Sequence, residues 1–160
     1  MSIEQKHGMA DGTAEEFILA AIHLSNACSD SRFIAPTMVS FAFAVELHIK
    51  ALLASLNIDP KREHSLYKLF LKLPEEKQSW VLKMYVLVVG ETPMDTFIRE
   101  LDMWSMAFVD IRYYHDSSAK GGAYFDFSNF IPNLAISLNN AYLHTEKYDK
   151  FCFPQLSESS

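Results

Sequence analysis

Apolar positions recur along most of the chain with the period of an α-helix, and no stretch of alternation is clear enough to predict a strand. The longest apolar stretch runs from Pro36 to Leu56, and its only formal charges are Glu46 and Lys50. Spaced i and i+4 with the acid first, these two share one helical face in the favourable order. A helix that is apolar around most of its circumference belongs in the middle of a bundle, carrying Glu46 and Lys50 as one polar stripe. Because Glu46, His48 and Lys50 interrupt it before about 18 apolar residues accumulate, a buried helix is predicted here and not a membrane span. Glu46, nearer the middle of the helix, is expected to matter more to stability than Lys50, whose long stem can reach outward.

The other elements follow from the same periodicity and from stop signals. Residues 1–12, with Gly8 and Gly12 and few apolar positions, are expected to form a flexible arm. Thr13 caps a first helix over about residues 14–29, with Glu15 and Glu16 in its first turn. Pro36 suits the first turn of the second helix, and Asn57 to Pro60 carry the turn chemistry that ends it. A short third helix runs from His64 to Leu73, and Pro74 with Glu75 and Glu76 opens a fourth. Its Val88-Val89-Gly90 end reads as a strand in isolation, but the length of the segment favours a helix. Thr92 or Pro93 opens a fifth helix in which Phe97, Leu101, Trp104, Phe108 and Ile111 form one apolar seam. Asp102, Ser105, Val109 and Arg112 lie along a neighbouring face, and Arg112 comes within one turn of His115 and Asp116. After a loop with aromatic Tyr124, Phe125 and Phe127, Ser128 or Asn129 caps a last helix that buries Phe130, Leu134, Ile136, Leu138, Ala141 and Tyr142. The expectation is an all-α bundle of five to six helices forming a single domain over 13–150, with 151–160 as a C-terminal tail. The Trp104 to Ile111 part of that seam and the aromatic loop at Tyr124 to Phe127 offer more apolar surface than one small bundle covers, which predicts a homodimer.

Charge narrows the function classes. A net charge of -6 argues against broad, charge-driven binding to nucleic acid, since such affinity comes from neutralised phosphates. One segment departs from this balance: Lys61, Arg62, His64, Lys68 and Lys72 gather base in an otherwise acidic chain. They form either a binding patch or an ordinary solvated helix face. Cys28 and Cys152 show no paired or metal spacing, and the first residues contain no apolar signal segment, so a cytoplasmic setting is expected. No two histidines stand three or four apart with a carboxylate, and no glycine-rich phosphate loop is present, so neither a metal nor a cofactor is expected. His23 and His48, on largely apolar helices, read as core or interface residues.

Three signatures in order carry a resemblance: Glu46-Leu47-His48-Ile49-Lys50-Ala51-Leu52-Leu53, then His64-Ser65-Leu66 with Leu69-Phe70, then the helix end Phe108-Val109-Asp110-Ile111-Arg112-Tyr113-Tyr114-His115-Asp116. Over about residues 14 to 145 the chain resembles the HEPN superfamily, the higher eukaryotes and prokaryotes nucleotide-binding domain. The resemblance implies a bundle of four to six helices that commonly dimerises. Some members are metal-independent endoribonucleases of defence and toxin-antitoxin systems, and others are inactive partners that bind nucleotides or proteins.

In the active ribonucleases an Arg is followed, four to six residues on, by a His. Here Arg112 meets His115 after three, and the next histidine is His144. Metal-free cleavage needs a base near the 2′-hydroxyl and a cation at the phosphorane, and Arg112 and His115 are the residue types that would supply them. The plainer alternative is that Arg112 pairs with Glu46 or Asp116 inside the bundle. The short spacing turns the expectation toward a protein that binds RNA or a nucleotide through Glu46, Lys50, Lys61, Arg62, His64 and Asp116. The alternatives are a non-enzymatic module docking a cognate protein partner and an active metal-independent endoribonuclease.

Overall fold

A computed structural model describes residues 3–26, 34–112 and 129–143, with side chains placed for 12–26, 34–105 and 129–141. Among these residues the chain forms six helices and no strand: α1 (Ile3–Asn26), α2 (Ile34–Ser55), α3 (Leu66–Leu71), α4 (Glu75–Val89), α5 (Met94–Arg112) and α6 (Phe130–Leu143). The all-α bundle expected from periodicity is therefore present. Val88 and Val89 lie in the last turn of α4, where Gly90 closes the helix at φ 96° by donating its N–H to the Val86 carbonyl.

The first helix departs from the sequence expectation. α1 begins at Ile3, so Thr13 lies within the helix and does not cap it. Glycine weakens a helix interior by only about 1 kcal/mol, and the helix continues through Gly8 and Gly12. Beyond Gly12, α1 buries Ala14, Ile18 and Ala21 against α2, and Phe17 stacks on Phe43 with ring centroids 5.3 Å apart.

α2 is the central helix, touching α1, α3, α5 and α6. By length and composition Ile34–Ser55 would be able to cross a membrane, but 67% of its apolar window is buried inside the bundle, as in a core helix of a folded domain. α6, expected to bury one side, is its counterpart: every residue from Phe130 to Asn139 is buried, including Asn133, Ser137 and Asn139. Of these, Ser137 donates to the Asn133 carbonyl at 2.6 Å, which satisfies the hydroxyl without leaving the helix. Asn129 marks the start of α6 through its backbone, its carbonyl accepting from the Asn133 N–H.

The far side of the bundle closes on an aromatic cluster. Tyr85 of α4, Phe97 of α5 and Phe130 of α6 meet pairwise at 5.2 to 5.4 Å, and Phe70 of α3 joins at Phe97 at 5.5 Å. Such tilted and edge-on contacts add roughly 0.5–1.5 kcal/mol each beyond the buried area. Burial, with the Glu100 carboxylate, pushes the Tyr85 hydroxyl up to about 12. Phe97, Leu101 and Trp104 of the α5 seam are buried in this chain's own core, so Trp104, the first residue of the stretch expected at a dimer interface, is covered within one chain. The side chains of Phe108 and Ile111, and the aromatic loop at 124–127, lie outside the described residues.

Candidate functional site

The polar stripe of α2 opens at one place, and the loop that follows α2 folds onto it. Glu46 is 4% exposed, and its Oε1 accepts from Lys50 Nζ at 2.6 Å and from His64 Nδ1 at 2.8 Å. Side-chain exposure rises outward across the three, from 5% at Glu46 through 21% at Lys50 to 56% at His64. With Nδ1 engaged as the donor, the imidazole is held in one orientation and its Nε2 edge is left for solvent. The second carboxylate oxygen, Oε2, is buried and has no hydrogen-bond partner.

The loop is shaped by its own acids. Asp59 Oδ1 accepts the Lys61 N–H at 2.8 Å, an Asx turn that holds Lys61 in the left-handed region at φ 55°. Glu63 Oε1 accepts the N–H groups of His64 at 3.0 Å and Ser65 at 2.9 Å. The Ser65 N–H first, then the His64 N–H and the charges of Lys68 and Lys72, hold Glu63 below the usual carboxylate range, against a desolvation that works the other way. Lys72 Nζ donates to the Pro60 carbonyl at 2.9 Å and ties α3 back to the loop. Ser65 caps α3, its Oγ accepting the Lys68 N–H at 3.3 Å. Deeper, Ser105 of α5 accepts the Tyr67 N–H at 2.6 Å while donating to the Leu101 carbonyl at 2.8 Å.

Both acids of this segment are thus turned to backbone, while the side chains of Lys61, Arg62 and Lys68 are exposed and, among the described residues, hold no salt bridge. The arrangement can place several cationic donors on one anion-bearing ligand. Among the described residues no group of His, Cys, Asp and Glu is suited to a metal ion.

The expected i,i+4 pair of Glu46 and Lys50 is formed, and His64, expected at the start of α3, instead joins them across 18 positions of sequence. Lys61 and Arg62 stand on the loop and not on a helix face. Arg112 is the last residue of α5, but its side chain lies outside the described residues, as do His115 and Asp116. His23 is exposed, whereas His48 is 1% exposed in the core. Burial pushes His48 down to about 4, against a side-chain hydrogen bond with Asn139 and the pull of Glu15. Ser105 was placed by sequence on a face shared with Arg112, yet nothing in its spacing signals the contact with Tyr67.

A family model described as the HEPN domain matches residues 13–123, which take in the second half of α1, then α2, the loop, α3, α4 and α5. The chain belongs to the HEPN family. No curated protein and no solved structure matches the chain. Family membership places this HEPN protein, in general terms, among proteins whose work concerns nucleotides or RNA.

Proposed function

We propose that this HEPN protein binds RNA or a nucleotide through the surface formed by Lys50, Lys61, Arg62, His64 and Lys68. The observation that carries the reading is the turning of Asp59 and Glu63 onto loop backbone, which leaves the cations of the same segment facing solvent in a chain of net charge -6. In such a chain the affinity arises from a local patch and not from the overall field. The protein works as a homodimer in the cytoplasm, within a defence or toxin-antitoxin setting. Arg112, His115 and Asp116 are included in this reading on the sequence resemblance.

Fluorescence anisotropy with a labelled single-stranded RNA tests the reading. Binding should weaken on addition of salt, and Lys61→Glu combined with Arg62→Glu should lower affinity at least about tenfold. Affinity unchanged in that variant sinks the proposal. Incubating wild type and Arg112→Ala with RNA in EDTA separates binding from the endoribonuclease alternative, because cleavage that vanishes with Arg112 would make the protein an enzyme.

A non-enzymatic docking module is the second reading, and it would draw on the exposed side chains Leu87 at 72%, Met103 at 49%, Leu19 at 47% and Leu71 at 46%. Pull-down by a partner that survives the Lys61→Glu, Arg62→Glu change but not Leu87→Asp would favour it.

A further inference from the structure

The Glu46 arrangement makes little sense as a stabilising device. A carboxylate that is almost wholly buried carries the full cost of leaving water, and two-sided hydrogen bonding is needed to offset it. Here only Oε1 has donors, while Oε2 is buried without one. An apolar residue of similar size would suit the middle of α2 better, which leaves the hold on Lys50 and His64 as what the carboxylate adds.

What it does is hold the lysine head and the His64 imidazole side by side on one oxygen. Lys50 Nζ and His64 Nδ1 lie 2.6 and 2.8 Å from the same Glu46 oxygen, so the two heads stand close enough together to meet one phosphate group on their outer side. Groups meant to follow a nucleic-acid backbone are spread along it, one per phosphodiester, and each meets a single negative charge. A convergent pair answers a phosphate that carries more than one charge and exposes three oxygens, as a monoester does. The anchored imidazole has a side chain 56% exposed, and in its protonated form Nε2 donates to an anion alongside the lysine. Lys61, Arg62 and Lys68 stand exposed on the adjoining loop and helix, where they meet whatever is joined to that phosphate.

We propose that the Glu46-Lys50-His64 cluster is a binding site for a terminal phosphate monoester, the phosphorylated end of an RNA strand or the phosphate of a free nucleotide, with Glu46 as the positioning residue. This rests on the RNA or nucleotide reading above and narrows it from phosphates in general to phosphate ends.

Anisotropy at slightly acidic pH, with one short RNA prepared with a 5′-phosphate, with a 3′-phosphate and with hydroxyls at both ends, tests it; AMP and adenosine serve as competitors. Wild type should prefer one phosphorylated end by about tenfold, as charge-assisted hydrogen bonds of this kind imply. That preference should vanish in Lys50→Gln and in His64→Gln, both partly exposed positions whose variants can be checked for an intact fold by circular dichroism. Glu46→Gln should reduce the preference while both cations remain, which a residue serving only stability would not do. Competition by AMP and not by adenosine, without discrimination between RNA ends, assigns the site to free nucleotides. RNA binding with no effect of the end, and no competition by AMP, overturns the site but leaves the RNA reading standing. A preference that persists in both the Lys50 and His64 variants also overturns it. No binding of RNA or nucleotide under any condition removes the earlier reading and the site with it.

Discussion

Ser105 Oγ receives the backbone N–H of Tyr67 at 2.6 Å, joining the middle of α5 to the first turn of α3. The first amides of a helix have no partner within it, so this hydroxyl supplies from another element what α3 cannot supply itself. Ser105→Ala should therefore cost about 1–2 kcal/mol, because the amide is left unpaired beside a 2% exposed position. Urea unfolding checks this: a midpoint equal to wild type would show that water replaces the hydroxyl. The loop ahead of α3 should loosen as well, with faster amide exchange at Tyr67.

The burial order along the Glu46 cluster sets the cost of losing Lys50 against that of neutralising Glu46. The deeply buried member is the acid, so removing the lysine leaves a carboxylate without its nearest cation, whereas removing the acid leaves a lysine that already reaches solvent. Lys50→Ala should destabilise by about 2 kcal/mol and by more than Glu46→Gln. Comparing urea midpoints of the two variants decides it, and the opposite order would place the charge cost on the lysine.

His48 makes stability depend on pH in a defined direction. Its folded value near 4 lies below the ordinary 6.5, so between these limits the unfolded chain binds the proton and the folded chain does not. The neutral ring's contribution is complete above pH 6.5 and is lost as pH falls toward 4, by up to about 3 kcal/mol. Thermal unfolding of wild type should show a lower Tm at pH 4.5 than at pH 7, and His48→Gln should flatten that part of the profile. A wild-type curve that is level across the window would show His48 to be protonated or solvated in the folded protein.

Lys61 sets local strain against the proposed function. A lysine at φ 55° costs roughly 1–2 kcal/mol that a glycine would not, and its side chain lies on the exposed basic loop. Lys61→Gly should raise stability by about 1 kcal/mol while weakening RNA binding. A gain in Tm with unaltered affinity would remove Lys61 from the binding surface.

Gly12 and Gly90 give opposite responses to the same substitution. Gly12 lies inside α1 with open space where a Cβ would stand, so Gly12→Ala should stabilise by up to about 1 kcal/mol. Gly90 also faces open space, but its φ of 96° is costly for any L side chain, and Gly90→Ala should destabilise by about 1 kcal/mol. Melting temperatures of the two variants check both signs.

Local periodicity by itself determined the all-α class, the central place of α2, the i,i+4 pairing of Glu46 with Lys50, and the boundaries around Pro36, Pro74 and Gly90, because each depends on residues within a few turns of one another. It also carried the family likeness, since the three signatures are runs of adjacent residues. It misplaced the start of α1, where glycines read as breakers are carried by a continuing helix, and it understated α6, because Asn133, Ser137 and Asn139 look solvent-facing until their surroundings are known. Only the tertiary structure brought His64 to Glu46, turned Asp59 and Glu63 onto loop backbone, and set Ser105 against Tyr67. The physical reason lies in the nature of these contacts. Helical spacing constrains neighbours three and four apart, whereas a hydrogen bond across 18 or 38 positions depends on how the helices pack, a property of the whole core that no single segment encodes.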